Sequence, residues 1–361
     1  MDTSQFTTLW RELEADRPRH ARALMSPDAR AQAIERGLVG LYRWHSEHSQ
    51  RRRSWHADTC IDWRAVRRDH TEAVGTIIEG FFAVEQYTPD YVGPLLGLIR
   101  ASYGRSQWHV YWGAEEARHA DLWRNTVVAL GRRDQRWIED YASELRRHEW
   151  ALPWESPRHI LFYQVIQERA TQVSYLNLGL ALDGKLPRLE TPADDTLASA
   201  CRLIAVDEAA HYAFFVEVAR LFLYYEPEAS LEALVDVLRH FTMPARHVIP
   251  GYDHFARVLH DAGVFGRSIH YRDVVHVVLS SLSAPAIKEL EAGVRRAREI
   301  PVTDGTLRTA AFLDTLNRRE VEEKVERLFH RTQTHLERSG LDQLFSAPFQ
   351  RAWAVGDEEA I

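Results

Sequence analysis

Two Glu-x-x-His pairs, Glu116-Ala-Arg-His119 and Glu208-Ala-Ala-His211, combine metal-holding residue types with a spacing that lets both side chains reach one ion. On a helix, positions i and i+3 share a face, with their Cβ atoms about 5–6 Å apart. A single Glu lies on a helix-like stretch upstream of each pair, Glu85 before the first and Glu168 before the second. The order Glu, Glu-x-x-His, Glu, Glu-x-x-His is an imperfect twofold repeat. One such pair says little, because Glu and His are common on solvated helix turns. Here the surroundings are wrong for a surface. Helical steps from Glu116 and His119 reach Trp112 and Trp123, and from Glu85 they reach Phe82, Phe81 and Ile78. From Glu168 they reach Gln164, Thr171 and Tyr175, and from Glu208 and His211 they reach Ile204 and Phe215. Carboxylates on the apolar stripe of a helix are costly unless paired or bound to cations. Four helices with that anomaly read as one buried metal site, whereas four unrelated buried Glu would each need a separate partner.

Four carboxylates and two imidazoles, with no thiolate, suit iron or manganese better than structural zinc, which prefers closed four-coordinate sites with Cys. Two Glu-x-x-His helices plus one Glu from each of two others is the ligand set of ferritin-like di-iron and di-manganese bundles. Four carboxylates also offset the charge of two divalent ions. With two iron ions bound, such a site can activate dioxygen against an unactivated C–H bond, and the protein supplies ligation, a dry cavity and substrate placement. A storage site would instead need an exit route for iron.

Helical periodicity dominates the chain and no series of alternating strands is visible, so the fold class is all-α. Helices are predicted over 27–50, 64–87, 89–101, 104–131 and 134–149, then from Ser156-Pro157 to about 183 and over 194–225. Further helices are predicted over 229–241, 244–262, 270–298 and 317–338. Pro89 suits a first helical turn, and Gly131 and Gly184 suit helix ends. The expected architecture is a four-helix di-iron core within a larger antiparallel bundle. It occupies 27–300, after an N-terminal extension over 1–26 and before a C-terminal helical extension and tail over 301–361. The weakest joints lie between Gly184 and Ala193 and between Ile300 and Gly305.

Composition sets the remaining bounds. The 361 residues are 45% hydrophobic and 27% charged, ordinary for a soluble globular protein. No run of eighteen apolar residues exists, so no membrane span is expected. The first residues lack the basic start and apolar core of a secretory signal. Only Cys60 and Cys201 are present, which excludes a disulfide framework or a Cys-rich zinc site and fits a reducing cytoplasm. A net charge of −7 argues against a general nucleic-acid binder.

The stretches AEEARHADLW (114–123), FYQVIQERATQVSY (162–175), AVDEAAHYAFF (205–215) and TMPARHVIPGYDHF (242–255) resemble the soluble acyl-carrier-protein desaturases, the stearoyl-ACP desaturase family. Glu85 followed by Pro89 and Tyr91 matches that family's E-x-x-x-P-x-Y turn, and the resemblance covers roughly 27–300. It implies that Glu85, Glu116, His119, Glu168, Glu208 and His211 are di-iron ligands, with Glu116 and Glu208 bridging. It implies an active-site role for Thr171 as a proton donor or hydrogen-bond partner for bound oxygen. The plainer role for Thr171 is a helix Thr bonding a backbone carbonyl. Asp207 is placed to accept the free imidazole N–H of His119. Trp55 falls where the family has a Trp on the electron path, although core packing serves it equally.

The chain departs from the plant pattern between Pro89 and Trp108, where it is shorter, and at Ile160, Leu161 and Phe162, which are bulky near the acyl channel. Both departures bear on chain length and leave the iron site untouched. The resemblance implies an acyl chain on acyl carrier protein as substrate, a ferredoxin-like electron donor and a homodimer. The acidic carrier would dock on a basic surface, for which Arg132, Arg133 and Arg136, or Arg295, Arg296 and Arg298, are candidates; a solvated helix face is the plainer reading for either alone. The alternatives are a di-iron N-oxygenase or hydroxylase of a biosynthetic pathway and a non-catalytic metal-binding bundle. A radical-carrying reductase subunit fits less well, because Trp123 stands where its Tyr would be.

Overall fold

The computed structural model describes residues 25–340, and all regular secondary structure among them is helical. The N-terminal extension before Met25 and the tail after Gly340 lie outside the described residues. Helix starts follow local chemistry. Ser26 caps α1 (Pro27–His48) by accepting the Ala29 N–H. α2 (Glu72–Glu85) and α3 (Thr88–Ile99) are separated by two residues, with Pro89 in the first turn of α3. Ser102 caps α4 (Tyr103–Ala129) and Asp134 caps α5 (Gln135–Leu145). Ser156 with Pro157 starts α6 (Pro157–Leu182), and Asp194 caps α7 (Asp195–Tyr225). Then come α8 (Pro227–His240), α9 (Ala245–Val248), α10 (Tyr252–Asp261), α11 (Arg267–Ile269) and α12 (His276–Ser281). α13 (Ile287–Arg298), α14 (Gly305–Asp314) and α15 (Arg318–Arg338) complete the described chain.

The core is the set α2, α4, α6 and α7. α6 and α7 pack along most of their length, while α2 and α1 both lie against α4. Gly104 permits the second contact, since a Cβ there would come within 2.5 Å of the Leu38 carbonyl carbon. α15 packs on α1 and α7, and its Leu328 and Phe329 belong to the same apolar core as Phe214 and Phe215. No helix among the described residues is long and apolar enough to cross a membrane.

Three expected elements differ, and one helix was not expected. The helix predicted from residue 64 starts only at Glu72, because the Arg67 N–H is taken by the Asp194 side chain at 2.8 Å and Val66 is extended. The stretch 244–262 is two helices, broken at Pro250-Gly251, where Gly251 adopts a left-handed φ of 72°. The stretch 270–298 also divides, after Leu282, where Ser283 takes a φ of 60° and Pro285 follows. Its first part, His270–Val275, is π-helical and packs on α6, with the Asp273 carbonyl accepting Arg169 Nε at 2.9 Å. Finally, α14 forms just after the Ile300–Gly305 joint, capped by Asp304 through the Leu307 N–H.

Candidate metal centre

Glu85 is the last residue of α2, Glu116 and His119 lie mid-α4, Glu168 mid-α6, and Glu208 and His211 mid-α7. All six are buried, none more than 5% exposed. They form two quartets: Glu85, Glu116, His119 and Glu208, and Glu116, Glu168, Glu208 and His211. Within each, one potential ligand atom per residue lies within 4.8 Å of the others. Glu116 and Glu208 belong to both quartets, so the two candidate positions share two carboxylates. His119 Nδ1 stands 3.6 Å from Glu116 Oε2 and 3.4 Å from Glu208 Oε1. His211 Nδ1 stands 3.2 Å from Glu116 Oε1, 3.2 Å from Glu168 Oε2 and 3.5 Å from Glu208 Oε2.

Both imidazoles turn Nδ1 inward and Nε2 outward onto a carboxylate. His119 Nε2 meets Asp207 Oδ2 at 3.3 Å, and His211 Nε2 meets Glu115 Oε2 at 2.7 Å. Asp207 also accepts Trp55 Nε1 at 2.9 Å and Arg118 Nη2 at 2.7 Å. The Trp55 ring stacks on His119 with an 11° interplanar angle, and the Arg118 guanidinium lies 4.7 Å from the Trp55 ring centre. Arg53 joins the two outer carboxylates, donating to Asp207 and to Glu115 Oε2 at 3.1 Å. Glu115 and Arg53 are the functional residues the sequence reading missed. Glu115 had a signal: it precedes Glu116 as Asp207 precedes Glu208, so the acidic neighbour belongs to the twofold repeat. Arg53 had none, since it sits in an Arg run outside the ligand helices.

The electrostatics call for cations. Burial pushes the Glu85 carboxyl up to about 8, helped by repulsion from Glu116, and burial with Glu208 beside it raises Glu168 well above the usual carboxylate range. Burial opposes charging of the imidazoles, but Asp207, Glu116 and Glu208 outweigh it and hold His119 well above its ordinary value. Glu115, Glu116, Glu168 and Glu208 do the same for His211. Protons are thus standing where positive charge is wanted. His119 Nδ1 and Glu116 Oε1 have no hydrogen-bond partner although both are buried. Two divalent ions fit this donor set: the four ligand carboxylates match them, and Arg53 with Arg118 matches Asp207 with Glu115. The loaded centre is then electrically neutral.

A narrow cavity of about 60 Å³ opens on this cluster. Glu85, Glu116, Glu168 and Glu208 stand in its wall with Tyr91, Leu95, Trp112, Ile160, Tyr163 and Gln164. Thr171 lines it too, and its hydroxyl donates to the Glu168 and Gln167 carbonyls at 3.0 and 3.2 Å. Tyr175 donates to Glu85 Oε1 at 2.5 Å. Of the two Arg patches, the first is engaged with Glu72, Glu79 and Asp140, whereas Arg295 and Arg296 are exposed and Arg298 pairs with Glu232.

The sequence profile described as fatty acid desaturase matches residues 98–332. The chain belongs to that family. Among curated relatives of this chain is acyl-[acyl-carrier-protein] desaturase 7, chloroplastic, of Oryza sativa subsp. indica. It is 32% identical over 205 residues, which is 54% of this chain and 48% of the relative. Stearoyl-[acyl-carrier-protein] 9-desaturase 3, chloroplastic, of Arabidopsis thaliana is 32% identical over 204 residues, 52% of this chain and 49% of the relative. The chain therefore spans about half the length of the curated relatives it matches. A solved structure described as a candidate acyl-ACP desaturase, DesA2 of Mycobacterium tuberculosis H37Rv, superposes with a TM-score of 0.48 and 19% identity, covering 72% of this chain and 99% of that one.

Proposed function

We propose that this family member is an oxygen-dependent di-iron desaturase that introduces a double bond into a saturated acyl chain carried on acyl carrier protein. The observation that carries the reading is the pair of Glu/His quartets sharing Glu116 and Glu208 at the wall of a narrow, largely apolar cavity. Glu85 and His119 would hold one ion, Glu168 and His211 the other, with Glu116 and Glu208 common to both. When bound, reduced iron supplies dioxygen activation and the oxidising strength needed to remove hydrogen from an unactivated carbon. The balanced reaction removes two hydrogens from adjacent carbons, consumes one O2 with two electrons and two protons, and releases two waters.

The chain's own residues supply the rest. Asp207 and Glu115 fix the rings of His119 and His211 through their outer nitrogens, which sets which nitrogen faces the ions. Trp55, bonded to Asp207 and stacked on His119, offers a continuous route for electrons from a ferredoxin-like donor to the centre. Thr171 places a hydroxyl on the cavity wall one turn from Glu168, from which it can exchange a proton after leaving its backbone acceptors. The cavity walls would keep water from the oxidised carbon and orient the part of the chain next to the centre. Arg295 and Arg296 offer the acidic carrier an exposed basic face. By family likeness the working unit is a homodimer.

The test is aerobic turnover of the iron-loaded protein with reductase, ferredoxin and a panel of acyl carrier proteins, read by mass spectrometry. A product lighter by two hydrogens is expected. A product heavier by one oxygen atom would replace the desaturase reading with an oxygenase on the same site.

A further inference from the structure

The wall of this cavity contains polar atoms that a plain hydrocarbon leaves unsatisfied. Trp112 Nε1, Tyr163 Oη and Gln164 Oε1 are buried and have no hydrogen-bond partner, and all three residues line the cavity. Gln164 is the most constrained of them. His109, fully buried on α4, places Nδ1 2.7 Å from the Arg105 carbonyl, which requires the proton to sit on Nδ1. Its Nε2 is then an acceptor and takes the Gln164 Nε2–H at 3.1 Å. Burial, with Arg105 nearby, pushes the His109 imidazole down to about 3, which keeps it neutral and in this role. The amide of Gln164 is therefore held with its N–H on His109 and its oxygen free. Turning it over would set oxygen against a nitrogen lone pair.

We infer that the acyl chain this site takes carries a hydroxyl group, and that Gln164, oriented by His109, is the residue that reads it. The inference rests on the acyl-chain reading above. A hydroxyl donates and accepts, so it can serve the Gln164 oxygen and a donor such as the Trp112 N–H. Gln164 precedes Glu168 by one helical turn and Ile160 lies a turn further on. Gln164 therefore meets the cavity one turn, about 6 Å, along α6 from Glu168, which sets the hydroxyl apart from the oxidised position. On that side Leu95 and Ile160 line the cavity and pack with Ile99, Leu152 and Trp154, so the group lies among otherwise apolar walls. A plain chain filling the same space displaces any water from Gln164 Oε1 and leaves that acceptor dry, which lowers its affinity by about tenfold or more.

The experiment is calorimetric binding to the iron-loaded protein under nitrogen, where no turnover occurs. The probes are the palmitoyl thioester of N-acetylcysteamine and its hydroxypalmitoyl isomers, with the hydroxyl stepped along the chain. One isomer is expected to bind about tenfold or more tightly than palmitoyl. Gln164→Met, close in shape but without the acceptor, should erase that preference, and Trp112→Phe should reduce it. Equal affinity for every probe in the unsubstituted protein would overturn the hydroxyl inference and leave the acyl-chain reading standing. No binding of any probe would remove the acyl-chain reading and the inference with it. The comparison in the unsubstituted protein decides the matter even where a variant fails to fold.

Discussion

Arg53→Met tests the charge balance of the centre most directly. The Arg53 side chain is 10% exposed and donates to Asp207, 1% exposed, and Glu115, 8% exposed. Removing it leaves two buried carboxylates sharing Arg118, whose closer approach is to Asp207 at 2.7 Å and whose distance to Glu115 is 3.7 Å. Breaking a buried ion pair from one side costs about 3–5 kcal/mol, because the abandoned charge stays buried. Arg118 offsets part of this at Asp207, so the lower end, about 3 kcal/mol, is the expected loss of unfolding free energy. Second, the loss of an outer partner of metal-bound His weakens metal affinity by about 10–100-fold. Both His119 and His211 lose support here, through Asp207 and Glu115, so the upper end is expected. Arg53→Lys keeps the charge without the fork and should recover part of the stability and little of the two-sided contact. Urea unfolding gives the first quantity and chelator competition for iron gives the second. A Met variant within about 1 kcal/mol of the unsubstituted protein, holding iron with unchanged affinity, would refute the view that the outer carboxylates are balanced by Arg53.

Three further outcomes are expected. Glu208→Ala removes a carboxylate common to both quartets, so iron content should fall below one ion per chain by elemental analysis; full occupancy would refute the sharing of Glu208. Ile160→Ala enlarges the cavity its buried side chain lines, so the protein should lose about 2–5 kcal/mol and accept longer chains, read as a shifted product profile in the carrier-protein panel. At Asp194, burial raises the carboxyl, but bonds from His70 Nε2 and the Leu197 and Arg67 N–H groups outweigh it and hold it below its ordinary value. A depressed carboxyl adds stability that is present above the unfolded value, about pH 3.9, and lost as pH falls through the lower folded value. Asp194→Asn should therefore lower the urea midpoint at neutral pH and narrow its gap to the parent below about pH 4; a constant gap across that range would refute the linkage.

The clustering of the six candidate ligands was legible because its signal is local. Glu116 with His119, and Glu208 with His211, announce themselves by charge on an apolar helical stripe, a pattern readable within two turns. The helix breaks were harder, since Pro250-Gly251 and Ser283 to Pro285 interrupt stretches whose apolar spacing continues on both sides. Arg53, and the His109–Gln164 pair, were invisible for a different reason. Each joins positions far apart in sequence, and nothing in an Arg run or a buried Gln names its partner before the helices are placed. Glu115 falls between these cases. Its acidic type before a ligand Glu was visible and repeats at Asp207, but its use depends on His211 arriving from α7. The repeat therefore extends one layer beyond the candidate ligands: α4 and α7 each contribute Glu and His to the cluster and an adjacent carboxylate that steadies the other helix's His. A metal-binding Glu-x-x-His pair preceded by an acidic residue, occurring twice, is thus a stronger sequence signal than the four metal-facing residues alone, because the reciprocal support requires both helices to face each other in register.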